Sequence, residues 1–285
     1  MTNETSAGPR LAGNFRRDIS RPSFVPPPGA CDSHMHIVGP FAKYPVRESR
    51  SLSPSEATLD DYILTMNKLG LSRCVIVQPS FFATDNACTL DAVEVLGERA
   101  RGVVVIDSDT NEGALERMHI RGVRGVRVQS VVAGGASSDD IESIAARIKP
   151  LGWHLQLFMD ARNIPHLAPR LMNLGIDVVF DHMAHVDAGS EGGDPGFKAL
   201  LKMLDGGRTW VKMSGAFSKP DAARAQRLIA ANEERVLWGS DWPHLGYTTP
   251  APDDGELLGA VAEWTQDAST LKKILVDNPQ RLYFA

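Results

Sequence analysis

Short apolar runs rich in β-branched residues recur along the chain, each bounded by Gly, Pro, Asp or Asn. They read CDSHMHIV at 31–38, RCVIVQPS at 73–80, RGVVVID at 101–107 and VRGVRVQ at 123–129. The series continues with WHLQLFMD at 153–160, DVVFDHM at 177–183, TWVKMSG at 209–215 and RVLWGSDWP at 235–243. Between them lie segments with helical spacing, among them LDDYILTMNKLG at 59–70, TLDAVEVLGERA at 89–100, IESIAARIKPLG at 141–152 and DAARAQRLIAANEE at 221–234. Strict strand–helix alternation requires parallel strands joined by crossover helices. Eight such units in 285 residues predict an α/β protein with one domain, a (β/α)8 TIM barrel over 29–285. An open doubly wound sheet would bring a Gly-rich phosphate loop after its first strand, and HMHIVGPFAK is not one.

Chemistry on such a barrel collects at the C-terminal ends of its strands. His34 and His36 lie two apart on the first strand, so alternation turns both to one face, with Asp32 on that side too and Met35 and Ile37 opposite. Desolvating two neighbouring imidazoles is costly unless they serve a purpose. The other strand ends add Ser80, Arg127, His182, Lys212 or Ser214, and Asp241, all expected at one mouth. His154 falls at the opposite end of its strand, and His119 and His166 fall in helical segments, where surface positions are expected. The loop FAKYPVRESRSLSPSEATL after the first strand is expected to cover the mouth. Tyr44 in that loop joins Ser80, Lys212 and His244 as a candidate substrate contact.

Composition narrows the function classes. A net charge of −5 offers no basic field for nucleic acid or an anionic membrane, so an anionic substrate needs a local positive site. Three cysteines, Cys31, Cys74 and Cys88, without C-x-x-C spacing, suit a reducing, cytoplasmic setting and argue against both disulfides and a zinc knuckle. The first 28 residues are polar and Pro-rich with no apolar h-region, so neither a signal peptide nor a membrane span is expected. They read as an arm lying on the surface or on a partner subunit, which leaves room for a homo-oligomer.

The stretches DSHMHI, FDHMAH and WGSDWPH, in that order, resemble the amidohydrolase superfamily. PPPGACDSHMHIVGP, VIVQPSFFATDNACTLDA, RGVRGVR, DHM, VLWGSDWPH and NPQRLYF are most similar to the 2-pyrone-4,6-dicarboxylate lactonases and related sugar-lactone hydrolases and isomerases. The resemblance runs from about residue 24 to the C-terminus. It implies that His34, His36, His182 and Asp241 form the catalytic cluster and that Arg127 binds a substrate carboxylate. It also implies aromatic or sugar-acid catabolism. The dicarboxylate lactonases carry further arginines after strands 4 and 7, whereas here VQSVVAGG and SGAFSKP offer only Lys219. A smaller or less charged lactone is therefore expected.

A mononuclear metal site of this superfamily uses a strand 5 histidine, but WHLQLFMD presents Gln156 and Phe158 there. The expectation is hydrolysis without a cofactor. Asp241 serves as general base and His34, His36 and His182 donate hydrogen bonds to the lactone carbonyl. The alternative is one divalent ion, zinc or manganese, on His34, His36, His182 and Asp241. That set would also suit a non-oxidative decarboxylase. A lactone isomerase and a non-catalytic small-molecule binding barrel are the remaining readings.

Overall fold

The computed structural model describes residues 10–11, 15–46, 52–107, 109–129, 138–185, 193–215, 222–245 and 250–285. Its centre is eight parallel strands: β1 (Cys31–Met35), β2 (Arg73–Val77), β3 (Ala100–Val104), β4 (Val123–Gln129), β5 (His154–Phe158), β6 (Val178–Phe180), β7 (Thr209–Met213) and β8 (Val236–Trp238). Each pairs with its neighbour in chain order from β1 to β8. The seam between β8 and β1 is joined just beyond β8, where Asp241 N donates to His34 O and His36 N donates to Trp242 O, both at 2.8 Å. The fold is the expected single-domain (β/α)8 barrel, and its seam is made by the backbone of candidate site residues.

Two apolar layers hold it. Cys31, Val75, Val77, Val103, Val179, Trp210, Leu237 and Tyr283 pack together in the barrel interior, and a larger cluster fills the space between strands and helices. Tyr283, from the terminal helix Asn278–Tyr283, reaches this interior and meets His154 at the N-terminal end of β5, ring to ring at 5.2 Å. It plugs the face opposite the mouth. The crossover helices bury one stripe each. In α1 (Leu59–Leu69) the buried Tyr62, Met66 and Leu69 follow i, i+4, i+7 spacing, and a Thr58–Asp61 capping box starts the helix. Gly70, at φ +73°, ends it in the left-handed conformation that glycine adopts freely.

The arm lies on its own chain over the described residues. Phe15 packs on Trp242 with ring centroids 4.8 Å apart, Ile19 is buried, and Ser20 N and Oγ donate to Asp253. Arg17 pairs with Asp61 on α1. Among the described residues no helix is long and apolar enough to cross a membrane. Asp32 departs from expectation. The register between β1 and β2 shifts between Asp32 and Met35, so alternation breaks. Asp32 accepts from Tyr62 Oη of α1 and from Ser240 N and Oγ, while His34 and His36 face Asp241.

Candidate active site

Four side chains meet at the C-terminal mouth. Asp241 Oδ1 lies 3.6 Å from His34 Nε2, 3.4 Å from His36 Nε2 and 3.7 Å from His182 Nε2, and all four residues are buried. Burial raises the Asp241 carboxyl, but the imidazoles of His182, His36 and His34 outweigh it and hold the group well below the usual carboxylate range. Burial holds His34 and His182 below the ordinary histidine value, against the pull of the Asp181 and Asp241 carboxylates.

The partners of the second ring nitrogens distinguish the imidazoles. His36 Nδ1 donates to the Val77 carbonyl at 2.7 Å, so in neutral His36 the Nε2 atom is an acceptor. His182 Nδ1 lies 2.9 Å from Ser214 Oγ, a hydroxyl able to donate, which permits a proton on Nε2. His34 Nδ1 sits 3.3 Å from Lys212 Nζ and 3.1 Å from Asp181 Oδ1, so either tautomer is served.

Asp181 ties the floor of the site together. Its Oδ2 accepts from Arg127 Nε at 3.0 Å and from Gln156 Nε2 at 3.1 Å, and Gln156 Oε1 accepts from Lys212 Nζ at 2.7 Å. Burial raises its carboxyl, but His34, Arg127 and Lys212 outweigh that and hold it well below the usual range. Burial lowers the Lys212 ammonium to about 8. Arg127 spends only its Nε on Asp181, and its guanidinium carbon lies 4.6 Å from the centre of the Phe158 ring.

The local backbone is unusual where the site is built. His182, Met183, Ala184 and His185 all have φ between +52° and +58°, and Asp241 has φ +63°. Non-glycine residues pay for this conformation in strain, which proteins retain mainly at functional sites. Gly215, at φ +78°, lets His182 lie against the β7 loop: a Cβ there would stand 2.8 Å from His182 Nδ1. Gly239 does the same for the seam, since its Cβ would stand 2.5 Å from His34 Cβ.

Several sequence candidates lie elsewhere. Lys212 is fully buried beneath His34, bound to Gln156, because β7 points it into the barrel interior below the mouth. Tyr44 Oη donates to Asp91 Oδ2 at 2.8 Å, next to Lys43 on the same carboxylate, so it is held against α2 (Ala87–Leu96) instead of reaching the cluster. His244 is buried with Nε2 3.0 Å from Asp254 Oδ1. Burial lowers its pKa, but Asp254 outweighs that and raises it. It locks the turn carrying Asp241 to α8 (Asp254–Thr265). Ser80 is half-buried at the end of β2, where it opens a short 3-10 turn. Lys219 lies outside the described residues.

The sequence reading gave no role to Asp181 or His185, and took Gln156 only as the residue standing where a metal-ligating histidine would be. Asp181 shares parity with the interior Val179 and was available as a signal. His185 became a neighbour of His182 only through the left-handed turn.

The donor set suits a divalent cation. His34, His182 and Asp241 each offer one ligand atom, all within 4.8 Å of one another, and His36 Nε2 adds a neutral-form acceptor beside Asp241.

Known proteins match this arrangement over most of its length. A 4-sulfomuconolactone hydrolase from Hydrogenophaga intermedia is 34% identical, with 91% of this chain and 90% of that protein covered. A 2-pyrone-4,6-dicarboxylate hydrolase from Comamonas testosteroni is 33% identical, with 93% of each covered. The apo crystal structure of an Agrobacterium tumefaciens protein superposes with a TM-score of 0.87 at 29% identity, covering 95% of this chain and 99% of that one. With the amidohydrolase family profile matching residues 31–285, which takes in the whole barrel and all four clustered side chains, the chain belongs to the amidohydrolase family.

Proposed function

We propose that the protein hydrolyses a small carboxylated lactone at the mouth of the barrel, with Asp241 as general base. The observation that carries this reading is the convergence of three imidazole Nε2 atoms on one oxygen of a buried, ionised carboxylate. The lactone class is supported by the names of two relatives, both lactone-ring hydrolases. Arg127, whose Nη groups have no partner among the described residues, pairs with the substrate carboxylate. Asp241 Oδ1 and His36 Nε2 are adjacent acceptors and hold the two hydrogens of one water. Asp241 removes a proton as that water attacks the lactone carbonyl, then returns it to the departing ring oxygen, leaving a hydroxy acid. His34 and His182, as Nε2–H tautomers, donate to the carbonyl oxygen as negative charge develops on it. His36 is thus assigned to the water, not to the carbonyl. Ser80 remains a candidate substrate contact at the rim.

This form of the reaction needs no cofactor. A second reading is favoured by the two acceptors, His36 Nε2 and Asp241 Oδ1, lying only 3.4 Å apart. A zinc or manganese ion held by His34, His36, His182 and Asp241 would polarise the carbonyl and make bound water more acidic. The proposed enzyme is cytoplasmic and acts on a free small molecule, without nucleic acid or membrane.

The test is a panel of mono- and dicarboxylated lactones followed by ring-opening absorbance, with and without chelator. Turnover is expected to survive chelation. Asp241→Asn should lower kcat by on the order of 10²-fold or more with little change in substrate binding. Near-native turnover of that variant would remove Asp241 as base. Stoichiometric metal, with activity lost on chelation and restored on its return, would replace the first reading by the second.

A further inference from the structure

Three residues beyond His182 the chain brings another imidazole to the mouth. The left-handed run from His182 to His185 sets the His185 ring 5.3 Å from that of His182 and 4.7 Å from that of Phe158, edge-on to both. Arg127 lies against the same Phe158 ring, so this one aromatic side chain carries a guanidinium and an imidazole together. His185 Nε2 is buried and has no hydrogen-bond partner among the described residues. A histidine placed only for packing would ordinarily have that nitrogen satisfied. Here a strained turn holds it, without a partner among the described residues, beside the proposed catalytic histidine and the carboxylate-binding arginine.

The surrounding charges decide what the imidazole can meet. Asp181 is balanced by Arg127 and Lys212, whereas the negative charge of Asp241 has no lysine or arginine in contact with it among the described residues. A second carboxylate placed at His185 would face Asp241 with no further guanidinium or ammonium beside it among the described residues. A neutral hydroxyl meets no such repulsion, and it can donate to or accept from an imidazole nitrogen.

We infer that His185 is a specificity-determining residue that binds a hydroxyl of the lactone while Arg127 binds its single carboxylate. The site then prefers a hydroxylated monocarboxylate lactone to a dicarboxylate. This inference rests on the lactonase reading above and deepens it.

The experiment compares the native protein with His185→Phe, which keeps the aromatic edge and removes both nitrogens, and with His185→Gln, which restores a hydrogen-bonding group. Three substrates are used: a hydroxylated monocarboxylate lactone, its deoxy analogue and a dicarboxylate lactone. His185→Phe should raise KM for the hydroxylated substrate on the order of tenfold, leave kcat within about twofold, and leave the deoxy analogue unchanged. His185→Gln should recover part of the loss. Equal effects on hydroxylated and deoxy substrates, or a native preference for the dicarboxylate, would overturn the inference while leaving the hydrolase reading intact. Failure of the native protein to open any lactone would overturn that reading instead.

Discussion

Gly215 shows how one missing methyl group positions a reacting side chain. A Cβ at this position would stand 2.8–2.9 Å from Nδ1, Cβ and Cγ of His182, in a backbone conformation that L-residues disfavour. Gly215→Ala should therefore push His182 away from Ser214 and Asp241. Turnover should fall on the order of tenfold or more, with only about 1–2 kcal/mol lost in stability. Steady-state kinetics beside thermal melting would check this, and equal native-like values for both would show that His182 is not held by this contact. The same residues mark where sequence reasoning stops. His34, His36 and Asp241 were legible because they sit at or just beyond strand ends, where position alone puts them at the mouth. Asp181 and His185 were not assigned, since a strand pattern says nothing of a four-residue left-handed turn that rotates His182 inward and carries His185 after it.

Strands fix these side chains by closing on one another, and the closure is local to the site. Gly239 lets β8 approach β1 so closely that a Cβ would stand 2.8 Å from the His34 backbone nitrogen, a group that cannot move without opening the seam. Gly239→Ala should lower the melting temperature and abolish most activity together, in contrast to Gly215→Ala. Inside the barrel, β7 carries Lys212 under His34. Burial lowers its pKa to about 8 from an unfolded value near 10.5. Below pH 8 the ammonium donates to Gln156 and offsets the charge of Asp181; above it that support is lost, so kcat/KM should fall through pH 8. Stability moves the other way. Between pH 8 and 10.5 the unfolded chain binds the extra proton, so this group's contribution rises with pH across that window. Lys212→Met should remove both dependences, which pH–rate and pH–melting profiles would read. An alkaline limb unchanged in that variant would assign it to another group. At this scale the eight strands were legible from composition and spacing, with boundaries displaced by a few residues. The register shift at Asp32 was not, because the interactions that fix it come from Tyr62 and Ser240, remote in sequence.

Across the whole molecule, the arm is fastened to the turn that carries Asp241. Phe15 packs on Trp242, the residue after Asp241, and Tyr62 packs at a tilt on the same indole, with ring centroids 5.3 Å apart, while its hydroxyl donates to Asp32. Ser20 is bound to Asp253, which also caps α8 through Gly255 N, and α8 in turn holds His244 through Asp254. The turn is thus gripped from the arm, from α1 and from α8. Polar, Pro-rich composition announced an arm but not this attachment, because its apolar contacts are few and widely spaced: Phe15, Ile19 and Phe24 over a stretch otherwise rich in charge. Phe15→Ala tests the connection at a distance from the chemistry. Removing the ring forfeits roughly 0.5–1.5 kcal/mol of aromatic pairing beyond the burial term, about 2–4 kcal/mol in all for a half-buried ring. Melting temperature should fall by several degrees. If the arm steadies Asp241, kcat should also fall a few-fold at nearly unchanged KM. Tyr62→Phe provides the comparison, since it keeps the ring contact with Trp242 and removes only the hydrogen bond to Asp32; it should lower stability with less effect on kcat. A Phe15→Ala protein that melts earlier yet turns over at the native rate would confine the arm to a structural role.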